Sequence, residues 1–381
     1  MEQIYFSAPK GWSWKKFKDV CVLKRGYDLP THARSAGNFP LYSANGVTDY
    51  IGQYKVDGPG VVTGRSGTIG KVHFVESDYW PLNTALYVQK FNGSYPRFIK
   101  YFLESFDLAR FASGAAVPTL NRNSLSAELV CTPDSIEEQK RIAEKLDALF
   151  TRIDIAIENL RESVTLANAL SKNGLSEIFD VLKDRFEIVP LSSVVKINSG
   201  IALPKLFKNG FSDGDIPFFK VAQMNNHHEN MVEPEITFNE IVAKEHKVKL
   251  FPKGSTLIPK RGGAILTNKK RMLLADASYD SNIMGLKADE SKISDDYLFA
   301  FMRTIDLANF VDASTIPQVN NKHIDQMQIP LASIKEQAGV VSRVNLLVKK
   351  VETMNSEIQM QLDDLQSLRN SILDSAFKGE L

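Results

Sequence analysis

Four stretches of this 381-residue chain carry residue types that could do chemistry. Pro133-Asp134 followed by Glu138-Gln139-Lys140 has the composition of a metal-dependent nuclease signature. "GRSGTIG" (64–70) has glycines that could cradle a phosphate. His227-His228 in "QMNNHHENM" could ligate a metal, and "SDGDIP" (212–217) resembles part of a cation loop.

Each has a plainer reading. The carboxylates of a nuclease converge from different elements, whereas Asp134 and Glu138 lie within one helix entry, and the equivalent second stretch has Leu331-Ala332 instead. "GRSGTIG" does not follow the strand–helix unit that gives such loops meaning. A methyltransferase needs an Asn/Asp-Pro-Pro-aromatic motif, and "NFPLY" (38–42) is the nearest approach, with one proline and an intervening Phe. Adjacent histidines in a polar stretch fit a surface loop, and "SDGDIP" lacks the later ligands of an EF-hand, so turn chemistry suffices. Cys21 and Cys131 have no zinc or disulfide spacing. No catalytic residue and no metal ligand is expected in this chain.

The elements that must position such residues are easier to read. The 16 prolines run from Pro9 to Pro133, stop until Pro190, resume to Pro330 and do not recur. Proline breaks helix interiors, so the two proline-free stretches are expected to be long helices. Leu146, Phe150, Ile153 and Ile157 begin a seam stepping by four and three that runs to Gly174, and Val344, Val348 and Val351 begin another that runs to Ile372. Such heptads predict paired helices, each on the order of 60 Å long at ~1.5 Å per residue. "DSIEEQ" (134–139) and "ASIKEQ" (332–337) precede them, with Ser135/Glu138 and Ser333/Glu336 spaced as capping boxes.

The repetition extends beyond the helices. "AVPTLNRNSL" (116–125) aligns with "TIPQVNNKHI" (315–324), "GRSGTIG" with "KRGGAIL" (260–266), "PLNTALYV" (81–88) with "DSNIMGLK" (280–287), and "FKDVCVLKRG" (17–26) with "LSSVVKINSG" (191–200). The offset grows from 174 to about 198, so the second copy carries extra residues between 200 and 261. Domain duplication follows. Residues 1–133 and 184–332 read as α+β globules, with strands such as "GVVTG" and "STLIPK" and amphipathic helices over 95–114 and 294–313. Residues 134–183 and 333–381 read as the long helices.

Charge is distributed accordingly. The net charge is +1, yet residues 1–133 carry 15 Lys+Arg against 10 Asp+Glu, and residues 244–271 hold nine basic residues and one acid. The N-terminus has no apolar signal core, and no apolar run approaches membrane-spanning length, so a cytoplasmic protein without membrane contact is expected.

The order of elements, the "P-x-φ-N" loop (φ apolar), the Ser-φ-x-Glu-Gln helix start and the closing "LRNSILDSAFKGEL" resemble the specificity subunit of type I restriction–modification enzymes. The resemblance spans essentially the whole chain and recurs in both halves. It implies two target-recognition domains separated by two long antiparallel coiled-coil helices, each domain reading one half of a split double-stranded DNA site. It also implies two copies of an adenine methyltransferase subunit docked on the helices, with restriction subunits joining. S-adenosylmethionine would be bound by the methyltransferase, and no cofactor by this chain.

DNA readout needs phosphate contacts from Lys, Arg, small polar groups and amides, and base-edge contacts from Arg, Asn and Gln. Candidates in the first domain are Arg65, Ser66, Lys71, Thr119, Asn121 and Arg122. In the second they are Lys260, Arg261, Asn268, Lys269, Lys270, Arg271, Gln318, Asn320, Asn321 and Lys322. Asn121 and Asn320 are matched between the copies and have an equally good structural reading as loop residues. The competing function is a coiled-coil scaffold or protein-binding adaptor without DNA specificity; the duplicated basic loops favour DNA.

Overall fold

The structure, a computed structural model, describes residues 7–114, 118–312 and 316–381. Ala116, Val117 and Thr315 of the aligned loop stretches, and the first six residues, lie outside the described residues. The chain forms two compact units, one from the residues up to Arg161 together with Gln359–Leu381, the other from Glu162–Ile358.

In the first unit an antiparallel sheet runs in the order Val22–Arg25, Ala85–Lys90, Gly60–Gly64, Val72–Val75. Helix Pro96–Ser105 is buried through Phe98, Ile99, Phe102 and Leu103, positions spaced to place all four on one face. Pro96 at its first turn forfeits no hydrogen bond, since that amide has no partner within a helix. A smaller sheet pairs Ala36–Ser43 with Gly46–Ile51 antiparallel and with Trp80–Pro81 parallel. The chain enters along Trp12–Lys16 and leaves beside it along Leu129–Pro133, an antiparallel ribbon that leads into the first long helix.

The second unit repeats this plan. Its main sheet runs Val195–Ser199, Ile283–Ala288, Thr256–Pro259, Arg271–Leu273, then adds a parallel fifth strand, Asn230–Met231. Helix Asp295–Thr304, capped by the Ser294 hydroxyl, buries Tyr297, Leu298, Phe301 and Met302. Ribbon Ile188–Pro190 with Gln328–Pro330 precedes the second long helix. The extra residues include Lys220–Glu235, which stand where the first domain has a tight turn at Ala44-Asn45 between its paired strands. This insert carries the fifth strand. It is also internally bonded: Gln223 is buried and joins the Lys220 amide to the Glu233 carbonyl.

The long helices span Ile136–Lys183 and Ile334–Phe377. Every predicted seam position is buried or half-buried. Within the first unit Arg369 donates to Asp154 at 3.0 Å, and within the second Asn355 donates to Asn168 at 3.0 Å. Arg141 also meets Leu381 in the first unit and Arg185 meets Glu336 in the second, so within each unit the numbers on one helix descend as those on the other rise and the pairing is antiparallel. Leu175, Phe179 and Leu182 join the second unit's core, while Ala376 joins the first, flanked by Leu373 and Phe377. Phe179 packs against Tyr297 and Phe301, and Phe377 against Phe98 and Phe102, at centroid distances of 5.3–6.1 Å. Each globule is thus closed by the far end of a long helix.

Three local expectations need correction. Only the first half of 95–114 and of 294–313 is α-helical; each continues as a short 3-10 turn, Leu108–Phe111 and Leu307–Asn309. Asp107 and Asp306 break the apolar period there. At Ser135 the hydroxyl caps the Glu138 amide at 3.1 Å, but Glu138 turns to Arg141 instead of reaching back. The Ser333 hydroxyl donates to the Glu336 carboxylate, which also pairs with Arg185. Finally, His227 is no surface residue: it is buried, with Nδ1 on the Gln223 carbonyl and Nε2 accepting from the Glu233 amide.

Candidate nucleic-acid interface

In each domain the glycine-bearing loop is docked on the P-x-φ-N loop by the same two backbone hydrogen bonds. Leu120 N donates to Arg65 O at 2.8 Å and Gly67 N to Pro118 O at 3.2 Å. In the second domain Val319 N donates to Lys260 O at 3.0 Å and Gly262 N to Pro317 O at 2.9 Å. A glycine serves at 67 and 262 because φ is +81° and +75° there, a region that strains any other residue. The bonding makes Lys260 the counterpart of Arg65, and Arg261 that of Ser66, one residue out of step with the sequence alignment. The Gly67 and Gly262 amides are thus taken up by the neighbouring loop's carbonyls.

This docking brings together Arg65, Ser66, Thr119, Asn121 and Arg122 in one domain. It brings together Lys260, Arg261, Gln318, Asn320, Asn321 and Lys322 in the other. Arg65 is half-buried and donates to Asn83 O at 2.8 Å. Ser66 and Thr119 form a backbone bridge, as do Arg261 and Gln318. Lys260 reaches Ser199 Oγ at 3.0 Å, and Arg261 reaches Gln318 Oε1 at 3.4 Å. Lys71, Asn121, Arg122, Asn321 and Lys322 are exposed.

Asn121 and Asn320 have a structural task. Their Oδ1 atoms cap short helices, accepting from Asn123 N and Lys322 N at 3.0 Å each. Asn320 Nδ2 donates to Asp312 as well.

Asn268, Lys269, Lys270 and Arg271 are set apart from this loop pair. Asn268 takes a left-handed conformation (φ +53°) and accepts from Leu307 N. Lys270 and Arg271, both among the candidates for DNA contact, are each only 7% exposed. Lys270 Nζ donates to Asn268 Oδ1 and to Ile305 O. Burial pushes its pKa down to about 7, opposed by Asp306. Arg271 extends into the strand that pairs with Thr256–Pro259, and strand alternation turns its side chain inward. Charges counted along 244–271 in the sequence carry no information about which face each one takes.

The nuclease-like pair is likewise accounted for. Asp134 binds the Ser13 hydroxyl and Lys15, which hold its carboxyl below the usual range. Glu138 is lowered in the same direction by Arg141.

Tandem α+β domains, each with a docked basic loop and each closed by an unbroken long helix, define a duplicated specificity-domain fold. A family model described as "Type I restriction modification DNA specificity domain" matches residues 9–166 and again 183–363, and the chain belongs to that family. It is similar to the putative type I restriction enzyme specificity subunit S.HindORF215P of Haemophilus influenzae, 23% identical over 91% of this chain and 89% of that one. It is also similar to the MjaIX specificity subunit of Methanocaldococcus jannaschii, 21% identical over 98% and 94%. Among solved structures, a chain from a study of "complex assembly and conformational transition of the type I R-M system" superposes with a TM-score of 0.76, at 17% identity and covering 99% and 100%. The HsdS subunit of Thermoanaerobacter tengcongensis gives 0.56 at 18% identity, covering 100% of each chain. Among the described residues no helix is long and apolar enough to cross a membrane.

Proposed function

We propose that this chain is the non-catalytic DNA-reading subunit of a type I restriction–modification complex, each domain reading one half of a bipartite, asymmetric site. Two copies of a methyltransferase subunit bring S-adenosylmethionine and adenine methylation, and restriction subunits join the assembly. The observation that carries this reading is the repeated loop docking: two unrelated chain segments are fixed by identical backbone bonds so that basic and amide side chains share one surface. DNA readout needs that mixture, cations for phosphates and amides or Arg for base edges.

The helices support the partner half of the proposal. Ile155, Leu166 and Leu170 on one, and Leu346, Met360 and Leu368 on the other, are exposed and lie off the seam. Apolar residues that helix pairing leaves uncovered fit the docking of further subunits.

Selection from a random-site duplex library by mobility shift, with the chain co-purified with its methyltransferase, tests the reading. Two short half-sites at a fixed spacing are expected, with an adenine methylated in each. Retention of the library without enrichment, at salt that suppresses non-specific binding, overturns it in favour of a scaffold.

A further inference from the structure

A pocket of about 280 Å³ opens at the foot of the second domain, where the strand start Lys269–Arg271 and helix Asp295–Thr304 meet both long helices at Leu175, Val348 and Glu352. Its acids are already paired. Glu229 binds Arg303, and Glu352 Oε1 lies 3.2 Å from His228 Nε2. Asp306, near Lys270, pairs with Lys172 at 3.3 Å.

Three cations are left over. Among the described residues Lys269, Lys270 and Arg271 have no carboxylate partner. Among the described residues Arg271 donates from Nη1 to the Lys270 carbonyl at 2.7 Å, and its buried Nε finds no partner. Burying a cation without an anion is costly. Arg271 is a buried cation with half-buried Lys269 beside it, and Lys270 adds a further charge whenever it is protonated, a cost that an anion in the cluster would offset.

The duplicated fold supplies an internal control. Helix Pro96–Ser105 is equivalent to Asp295–Thr304, and Glu104, paired with Lys100 at 2.9 Å, stands where the second copy has Arg303. In the strand registers Leu257 faces Arg271, and the first domain has His73 facing Val62 at the corresponding point. The cluster is therefore a property of the second domain and not of the scaffold that both share.

We propose that this pocket binds a phosphate group, held by Arg271, Lys270 and Lys269 with Arg303 at its wall. A tetrahedral oxyanion accepts from several donors at once, and arginine's fork of N–H groups suits it. The group is either a free phosphate-class anion or a backbone phosphate of bound DNA.

The test uses the full chain, with inorganic phosphate titrated against chloride at constant ionic strength while the melting temperature is followed. A saturable rise in the wild type, needing at least tenfold more phosphate in Lys269→Ala, assigns a free anion; this half-buried lysine can be removed without disturbing the core. Arg271→Lys, which keeps the charge and loses the fork, should weaken the response too. If phosphate has no effect but Lys269→Ala lowers the salt slope of DNA binding by the complex by about 0.9, the occupant is a DNA phosphate. Absence of both responses overturns the proposal. The phosphate titration involves no DNA, so its result stands apart from that of the library selection.

Discussion

Gln337 Oε1 accepts a hydrogen bond from the Ser294 amide at 2.8 Å, while its Nε2 donates to the carbonyls of Ala332 and Lys292. Gln139 does the same in the first domain, taking the Tyr95 amide at 2.8 Å and giving to Pro133 O. In both copies one buried glutamine ties the start of a long helix to the start of the domain's amphipathic helix. This is the task that the repeated hexapeptide performs in both halves. Gln337 is fully buried, and replacing it with leucine leaves one amide and two carbonyls short of partners. The loss should be roughly 2–3 kcal/mol, because unsatisfied buried polar groups cost ~1–3 kcal/mol. Urea denaturation of Gln337→Leu measures it, and an unchanged midpoint would show the amide to be dispensable.

Lys270 gives the second domain a pH dependence. Its pKa is about 7 when folded, below the ordinary lysine value to which unfolding returns it. Between those values the unfolded chain binds the extra proton, so stability rises with pH through the window from about 7 to about 10.5. Below 7 the buried charge is present and its full cost is felt. Lys270→Met should therefore raise the melting temperature at pH 6–7 in chloride buffer and flatten the rise toward pH 10. A variant that keeps the wild-type slope would place its origin in another group.

The exposed cations Lys71, Arg122 and Lys322 should govern salt dependence. Replacing Lys71 and Arg122, or Lys322 in the second domain, should reduce the log–log salt slope of DNA binding by up to ~0.9 for each phosphate that is no longer neutralised. Asn121→Ala and Asn320→Ala should instead cost stability, ~1 kcal/mol as helix caps, with half-site preference retained. A changed half-site in either Asn variant would assign it to a base edge.

The long helices should set the spacing between half-sites. Inserting one heptad after Leu160 and one after Ile358 preserves both seams and adds ~10.5 Å to each helix. The preferred spacer should lengthen by about three base pairs at ~3.4 Å per pair, with half-sites unchanged. Methylation of a spacer-length library reads this out, and an optimum at the original spacer shows that the helices do not measure the gap.

The duplication, the long helices and their seams were legible because they rest on local signals: absent prolines, a four-three step, repeated spacing. The four-three step from Val344 to Ile372 passes through Arg369, whose guanidinium does lie in the seam, 4.0 Å over the Phe150 ring. Faces in the sheets were harder. The basic run 244–271 looked uniform, yet strand pairing buries Arg271 while Lys244 and Lys247 stay exposed. The pocket wall was not legible at all, since His228, Arg303 and Glu352 come from three elements more than forty residues apart. The one-residue shift between Arg65 and Arg261 arose because two arginines were matched by type, and backbone bonding sets the correspondence instead.

The first domain's core includes Ala376, with Phe377 on Phe98 and the Leu381 carbonyl accepting from Arg141 at 2.7 Å. Glu162–Ile358 is one continuous segment, so the second unit is complete before the ribosome has made Gln359–Leu381. The domain translated first is therefore the one that finishes last. Until then Phe98 and Phe102 of its amphipathic helix lack the aromatic cover that Phe377 provides, a state that invites aggregation or chaperone binding. A stop codon directly after Ile358 would spare the downstream domain and cripple the upstream one, an inversion of the usual polarity of truncation.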